Sequence, residues 1–206
     1  MRHKRLLLVA CVILLLVGGS ACSSTSADSS LVGSWEYTVE YEEIWKDNAG
    51  DSAEFFDFSD VSFTMELELA EDGTFTWGYN KESIEKYEKD TRTAFEKGLE
   101  PYFAYLMEEI NPGLTFEDAL SMSEMTKDEL LDEMMNQGAD LTELETFVGT
   151  YRTQGDKLRL TYTEGAEGNE TLIFKCSENT LVLDIEGEYT DWFFKYLLPA
   201  TFTRKQ

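Results

Sequence analysis

Residues 61–79 have the sequence VSFTMELELAEDGTFTWGY, and this stretch decides the fold. From Val61 to Leu69 every second residue is apolar, and the residues between them are polar or acidic. The alternation resumes at Phe75 after Asp72-Gly73, a pair that is favoured in two-residue hairpin turns. Because successive side chains of a strand point to opposite faces, the stretch predicts an antiparallel hairpin with one apolar, aromatic face and one wet face.

The same alternation recurs on both sides of this hairpin. It is present in six further segments, at 31–41, 149–152, 158–162, 172–176, 181–185 and 200–205. Together they predict eight antiparallel strands, a number at which a sheet can close on itself and remove its edges. The pattern favours an eight-stranded barrel over a two-sheet sandwich. We therefore expect a mostly β protein whose barrel is formed by residues 31–79 and 148–206.

Residues 80–147 interrupt the strands with a helical pattern. Apolar residues from Ile84 to Ile110 recur at spacings of three and four, which predicts an amphipathic helix. Pro101 lacks an amide hydrogen, so the helix is expected to kink or restart there. Thr115 and the capping box Thr126-x-x-Glu129 each predict the start of a shorter helix. A helical insertion is thus expected between strands three and four, because the segment is too long for an ordinary loop.

The N-terminal residues have the features of an export signal. Basic residues at positions 2, 4 and 5 precede an apolar run over 6–17, which is too short to span a bilayer. Gly19-Ser20-Ala21-Cys22 resembles the lipobox of bacterial lipoproteins, which implies removal of residues 1–21 and attachment of fatty acyl chains such as palmitate to Cys22. An ordinary cleaved signal with a free thiol at Cys22 is the alternative.

Residues 22–30 would then be the lipidated Cys followed by a short, Ser-rich flexible tether. The expected location is the bacterial cell membrane, with the protein lipid-anchored on the extracytoplasmic face. Cys176 would be the single remaining thiol, so an intrachain disulfide is not expected.

Charge and composition exclude several classes of function. Without residues 1–21 the chain has 14 Lys and Arg against 41 Asp and Glu, a net charge of −27. Such a surface repels nucleic acid and anionic headgroups. The only histidine is His3, within the predicted signal, so His-dependent nucleophilic catalysis and His-ligated zinc are not expected.

The strand motifs resemble the lipocalin-like domains that are common in bacterial lipoproteins. The resemblance rests on Gly33-x-Trp35 in the first strand, Asp72-Gly73-Thr74-Phe75, Gly149-Thr150-Tyr151, residues 156–160 and the closing Phe202-Thr203-Arg204-Lys205. It implies an eight-stranded barrel in which a late Arg packs across the first-strand Trp. Trp35 and Arg204 are therefore expected to form a structural pair at the closed end, with Arg204 within about 6 Å of the indole ring.

Catalytic and metal-binding motifs are not evident in the sequence. Acidic pairs such as Glu42 with Glu43 are expected by chance in a chain with 41 acidic residues. The acidic loops 51–60 and 184–191 lack the ligand spacing of an EF-hand. We predict no enzyme activity, no metal site and no cofactor.

Two functions of different classes fit these observations. In the first, the barrel binds a small apolar or amphipathic ligand, and the candidate lining residues are Tyr37, Phe63, Phe75, Trp77 and Tyr151. In the second, the barrel is filled and the helical insertion is a protein–protein interaction module of the cell envelope. The first predicts a large cavity among those aromatic residues, and the second predicts an exposed apolar patch on the insertion.

Overall fold

The computed structural model describes residues 28–138, 146–165, 168–187 and 197–206. Eight strands in these ranges form one closed barrel in which each strand is paired with its neighbours in chain order. The strands are β1 (Gly33–Glu40), β2 (Ser62–Leu69), β3 (Thr74–Tyr79), β4 (Phe147–Gln154), β5 (Lys157–Glu164), β6 (Asn169–Cys176), β7 (Thr180–Ile185) and β8 (Ala200–Arg204). The predicted signal peptide and Cys22 lie outside the described residues.

Closure is achieved by antiparallel pairing of the first and last strands. Trp35 lies opposite Arg204 on β8, and on its other side β1 pairs with β2 along its whole length. The closed eight-stranded antiparallel barrel predicted from the alternation is confirmed. The register also places every second residue of each strand toward the interior, as the period of two requires.

A helix that the sequence pattern did not predict follows β1. Tyr41 begins helix α1 (Tyr41–Ala49), which continues into a short 3-10 helix (Gly50–Glu54) before β2. The prediction that strand one extends to residue 41 is therefore wrong by one residue. Tyr41 continues the alternation of β1, but it also has Ile44 and Trp45 at helical spacing, and packing against the helices decides between the two patterns.

Three further helices lie between β3 and β4, as predicted. They are α2 (Lys81–Ile110), α3 (Phe116–Ser123) and α4 (Lys127–Gly138). Thr115 and Asp118 form a capping box at α3, and the backbone amide of Glu129 donates to Thr126 Oγ1 at the start of α4. Pro101 lies at an exposed position within α2, which is one continuous helix and does not restart there.

All of these helices lie at one end of the barrel. β1 runs away from the N-terminal tether and enters α1, and β3, antiparallel to β2, runs in the same direction and enters α2. Gly33, at the start of β1, therefore lies at the same end of the barrel as Arg204. The helices cover the opposite end. We call α1, the 3-10 helix and α2–α4 the helical cap.

Candidate functional site

The ligand-lining candidates lie on four strands of the barrel. Phe63, Phe75, Trp77 and Tyr151 are each 4% exposed or less, and they belong to one buried cluster. The Tyr151 hydroxyl donates to the carbonyl of Ala70 at 2.8 Å, so its polar atom is used within the fold. These four side chains therefore lie in the packed core.

Tyr37 is the exception among the five candidates. Its ring lies 5.6 Å from that of Phe202, and its outer side borders a surface cleft of about 760 Å3. Val39, Ile44 and Leu198 form the apolar part of this cleft, and acidic residues of α1 form its rim. This cleft lies beside the packed centre of the barrel.

The centre of the barrel is packed with fully buried side chains from six of its eight strands. Eight inward-facing residues are 0% exposed: Trp35, Met65, Leu158, Leu160, Leu172, Leu181, Leu183 and Phe202. A side chain with no accessible surface has no neighbouring space as large as a water molecule, so these residues contact each other at the density of a protein interior. The described interior is consequently a core of interlocked aliphatic and aromatic side chains.

The end of the barrel at which β1 begins is closed by Arg204 and Trp35. The Arg204 guanidinium carbon lies 4.1 Å from the centroid of the Trp35 ring, within the range of cation–π attraction. The Arg204 nitrogens Nε, Nη1 and Nη2 donate to the carbonyls of Glu178, Val32 and Ser30 at 2.7–2.8 Å. One residue thus ties three chain segments together at this end.

Gly33 is required by the same contact. Its φ is +143°, and a Cβ at this position would lie 2.4 Å from Arg204 Nη1. Trp35 Nε1 donates to the carbonyl of Leu31 at 2.9 Å, so the polar atom of the buried indole has a hydrogen-bond partner. The motif is accordingly a structural closure of the barrel.

The opposite end is closed by an aromatic layer between the barrel and the helical cap. It consists of Tyr41, Trp45, Phe56, Phe58, Tyr87 and Phe95, whose ring centroids lie 4.7–5.7 Å from their neighbours. Tyr87 of α2 joins this layer to Phe63 of β2 at 5.6 Å. Burial raises the pKa of Tyr87 above its usual value, so the hydroxyl stays neutral in this layer.

The last three turns of α2 differ from the rest of the helix. Ile84, Tyr87, Thr91, Phe95 and Leu99 are buried, whereas no described side chain from residue 100 to residue 110 is. Yet this end, which we call the α2 tip, has the sequence EPYFAYLMEEI. A helix that is apolar around most of its circumference is normally covered.

A groove runs along one side of the α2 tip. Tyr102, Tyr105, Leu106 and Ile110 form one wall, and Ala49, Asp51 and Ser52 form the other, around a volume of about 590 Å3. Tyr105 is 48% exposed and Ile110 is 74% exposed. The exposed apolar patch that the interaction hypothesis predicts is therefore present on the insertion.

Acidic side chains in the described ranges do not converge on a metal site. Among these residues no group of three or more His, Cys, Asp or Glu side chains is placed to hold a metal ion. Asp57 accepts from the Ser59 amide at 3.0 Å, and Glu186 pairs with Lys157 at 2.5 Å.

The helices in the described part of the chain do not include one with the length and hydropathy that a membrane span requires.

Comparison with known proteins found a match to one family model. Residues 111–183 match the model of a family described as a lipocalin-like domain. Searches of curated proteins and of solved structures found no match. The matched range includes β4–β6 and the first part of β7, and also α3 and α4, which the strand motifs had placed in the insertion. The resemblance to lipocalin-like domains is thus confirmed, in sequence over residues 111–183 and in architecture by the closed eight-stranded barrel.

Proposed function

We propose that this protein is a lipid-anchored lipoprotein of the bacterial cell envelope, whose lipocalin-like barrel is a scaffold and whose helical cap docks onto another envelope protein. The observation that carries the docking proposal is the combination of a packed barrel centre with an exposed, apolar α2 tip. A filled barrel offers little room for a ligand, while an uncovered apolar helix end is typical of an interaction surface.

The topology supports this arrangement. If Cys22 is lipidated, the tether of residues 23–30 holds the β1 end of the barrel near the membrane, because a chain of eight residues reaches at most about 28 Å. The helical cap lies at the other end of the barrel and would face away from that membrane. This orientation places the α2 tip where a partner in the envelope can reach it.

Anchoring is tested by the substitution Cys22→Ser. The acyl chains on Cys22 supply more than one membrane signal, and a single acyl chain is only marginally sufficient for stable binding. We expect the variant to move from the membrane fraction to the soluble fraction of cells. Cys176→Ser is the matched control and should remain in membranes. Membrane retention of Cys22→Ser would contradict the lipoprotein proposal.

Docking is tested by site-specific photocrosslinking in living cells. A photoreactive residue in place of Ile110 on the α2 tip should form an adduct with one envelope protein. The same residue in place of Thr150, which is exposed on the outer face of β4, is the control and should not form that adduct. Equal adducts at both positions, or none at position 110, would exclude docking through the tip.

The cleft beside Tyr37 supports a second candidate function. Its volume of about 760 Å3 is within the range of small-molecule sites, and Val39, Ile44 and Leu198 supply apolar contacts. A small amphipathic ligand would bind there, at the edge of the barrel. Native mass spectrometry of protein purified from its own cells tests this candidate, because a ligand retained by the natural chain and lost from Tyr37→Ala would place binding at this cleft.

A further inference from the structure

We infer that the groove at the α2 tip binds a basic amphipathic helix of the partner protein. This inference rests on the proposed docking function and adds the chemistry of the partner. It is carried by two independent properties of the groove, namely the spacing of its apolar residues and the sign of its charge.

The spacing of the apolar residues suits a helical occupant. Tyr102, Tyr105, Leu106 and Ile110 are separated by three, four and eight positions, so they share one face of α2. Grooves that bind amphipathic helices accept residues at the same spacings from the partner. The wall formed by α2 is preorganised, because the centroid of the Tyr105 ring lies 5.0 Å from that of Phe55, which is outside α2.

The charged residues that line the groove are both acidic. The 29 residues from Gly98 to Thr126 contain six Asp and Glu and no Lys or Arg. Glu108 and Asp51 belong to the groove itself, one on each wall. A partner helix that places Lys or Arg beside these carboxylates gains attraction, and an acidic helix is repelled.

Nearby basic residues of the chain are engaged elsewhere. Arg92 forms ion pairs with Asp128 and Asp132 of α4, and Lys127 lies 3.8 Å from Glu96. Arg92 and Lys127 thus join α2 to α4, and the positive charge of Lys97 acts on Asp57. None of the described residues that line the groove is basic, so the partner must supply the positive charge.

The same charge argues against two other occupants. A second copy of this chain would bring another acidic α2 tip against the first, which is unfavourable. An anionic lipid surface would meet the same repulsion. A basic amphipathic helix satisfies both the apolar wall and the carboxylates.

The test uses three synthetic 18-residue peptides and the mature chain, residues 22–206 with Cys22→Ser. The first peptide is a Leu/Lys helix with one apolar face. The second has Glu in place of every Lys, and the third has the composition of the first in an order without an apolar face. Binding is measured by fluorescence anisotropy at about 0.15 M salt, where the Debye length of about 8 Å weakens nonspecific attraction.

We expect the amphipathic Leu/Lys peptide to bind at least tenfold more tightly than the other two. The double variant Leu106→Ser/Ile110→Ser should bind this peptide at least tenfold more weakly than the natural chain. Glu108→Gln should weaken binding less, and it should reduce the dependence of the dissociation constant on salt. Met122→Ser is the matched control, because Met122 is 77% exposed and lies outside the groove. Since all of these residues are at the surface, unchanged circular dichroism should confirm that each variant folds.

Several results would overturn the inference. The first two are binding of the acidic peptide, or of the reordered peptide, that is as tight as binding of the amphipathic Leu/Lys peptide. The third is binding of the Leu/Lys peptide to the double variant that is as tight as its binding to the natural chain. The fourth is self-association of the natural chain in sedimentation experiments that is abolished by Ile110→Ser. The photocrosslinking experiment distinguishes failure of the inference about a basic helix from failure of the docking proposal. An adduct at position 110 with a partner segment that lacks Lys and Arg would retain the docking function and exclude a basic occupant.

Discussion

Arg204 is the residue on which closure of the barrel most depends. It lies over the Trp35 ring and donates to three backbone carbonyls in two other segments, so it combines a cation–π contact with hydrogen bonds that only a planar, forked group can form together. These contacts join the start of β1 to the end of β8 and to the turn between β6 and β7.

We predict that Arg204→Lys destabilises the protein although the charge is conserved. An ammonium group cannot stack as a plane on the indole or reach all three carbonyls, so the cation–π contact weakens and hydrogen bonds are lost. The expected loss is about 0.5–2 kcal/mol in the free energy of unfolding, measured in urea. Arg159→Lys, on the exposed face of β5, is the control and should change it little. Equal stability of the two variants would contradict the role of Arg204.

Glu66 makes the stability of the closure depend on pH. Its hydrogen bonds to Lys205, at 2.7 Å, and to Asn80 lower the pKa of Glu66 below its ordinary value of 4.5. A carboxyl group with a lowered folded pKa stabilises the folded state above the unfolded pKa, and this contribution is lost as the pH falls through the folded pKa.

Glu66→Gln should therefore be less stable than the natural protein at pH 7, and the difference should narrow as the pH falls below about 4.5. Urea unfolding at pH 7 and at pH 3.5 measures both differences. Glu68→Gln, at an exposed position of the same strand, is the control and should show a smaller difference at pH 7. A difference for Glu66→Gln that stays constant with pH would rule out this linkage.

At the scale of single elements, α2 depends on a close approach to the segment before β2. Gly98 lies in the interior of α2, where glycine is ordinarily unfavourable by about 1 kcal/mol relative to alanine. A Cβ at this position would lie 2.3 Å from the carbonyl oxygen of Phe55 and 2.4 Å from the Phe56 ring. The lack of a side chain allows the helix to pack directly on that backbone, and so positions the α2 tip beside the 3-10 helix.

Gly98→Ala should consequently destabilise the protein in spite of its higher helix propensity. The close contact is with a backbone carbonyl, which cannot move aside as the end of a flexible side chain can. The cost of overpacking should therefore lie in the upper part of the usual range of about 1–3 kcal/mol and exceed the gain of about 1 kcal/mol in helix propensity. Thermal unfolding should show a lower Tm. Thr93→Ala, at an exposed position of the same helix, is the control and should leave the Tm unchanged or raise it. A higher Tm for Gly98→Ala would mean that α2 packs less closely than described.

At the scale of the whole molecule, the barrel and the helical cap share one core. The buried cluster is continuous from Leu158 and Phe202 in the barrel through Phe63 to Tyr87 and Phe95 of α2. The cap is thus a structural part of the domain as well as the site of the proposed interaction. Beyond residue 99, α2 has no buried side chain among the described residues, although Tyr102 and Phe103 still pack against this core.

Replacing residues 80–147 with a two-residue hairpin should abolish cooperative folding. A shorter loop regains about 0.6 kcal/mol for each halving of its length, whereas each large apolar side chain that is uncovered costs about 1.5–3 kcal/mol. Loss of the near-ultraviolet aromatic signal and of a sharp thermal transition is the expected result. The double substitution Leu106→Ser/Ile110→Ser, which changes only the tip, should preserve both. A cooperative transition in the shortened chain would show that the barrel is stable alone.

Much of this fold could be predicted from the sequence because its signals are local. Alternation over 61–69 and 75–79 determines which residues can face a core, and this pattern does not depend on residues elsewhere in the chain. The capping residues Thr115 and Thr126 likewise act on amides within three positions. Trp35 and Arg204 are 169 positions apart, so no local signal relates them. Their contact could be predicted only from closure of the sheet, which pairs the first and last strands, together with the resemblance to lipocalin-like domains.

Tertiary structure alone decided the features that bear on function. Tyr41 fits both the strand and the helix pattern, and its packing on Phe58 and Tyr87 selects the helix. The aromatic residues of the strands would alternate identically around a cavity or in a packed core, so the sequence left both possibilities open. The apolar spacing of α2 is likewise the same before and after Leu99, although only the first part is buried. Alternation and spacing are set by neighbours along the chain, whereas burial is set by segments that are distant in sequence and meet only in the folded molecule.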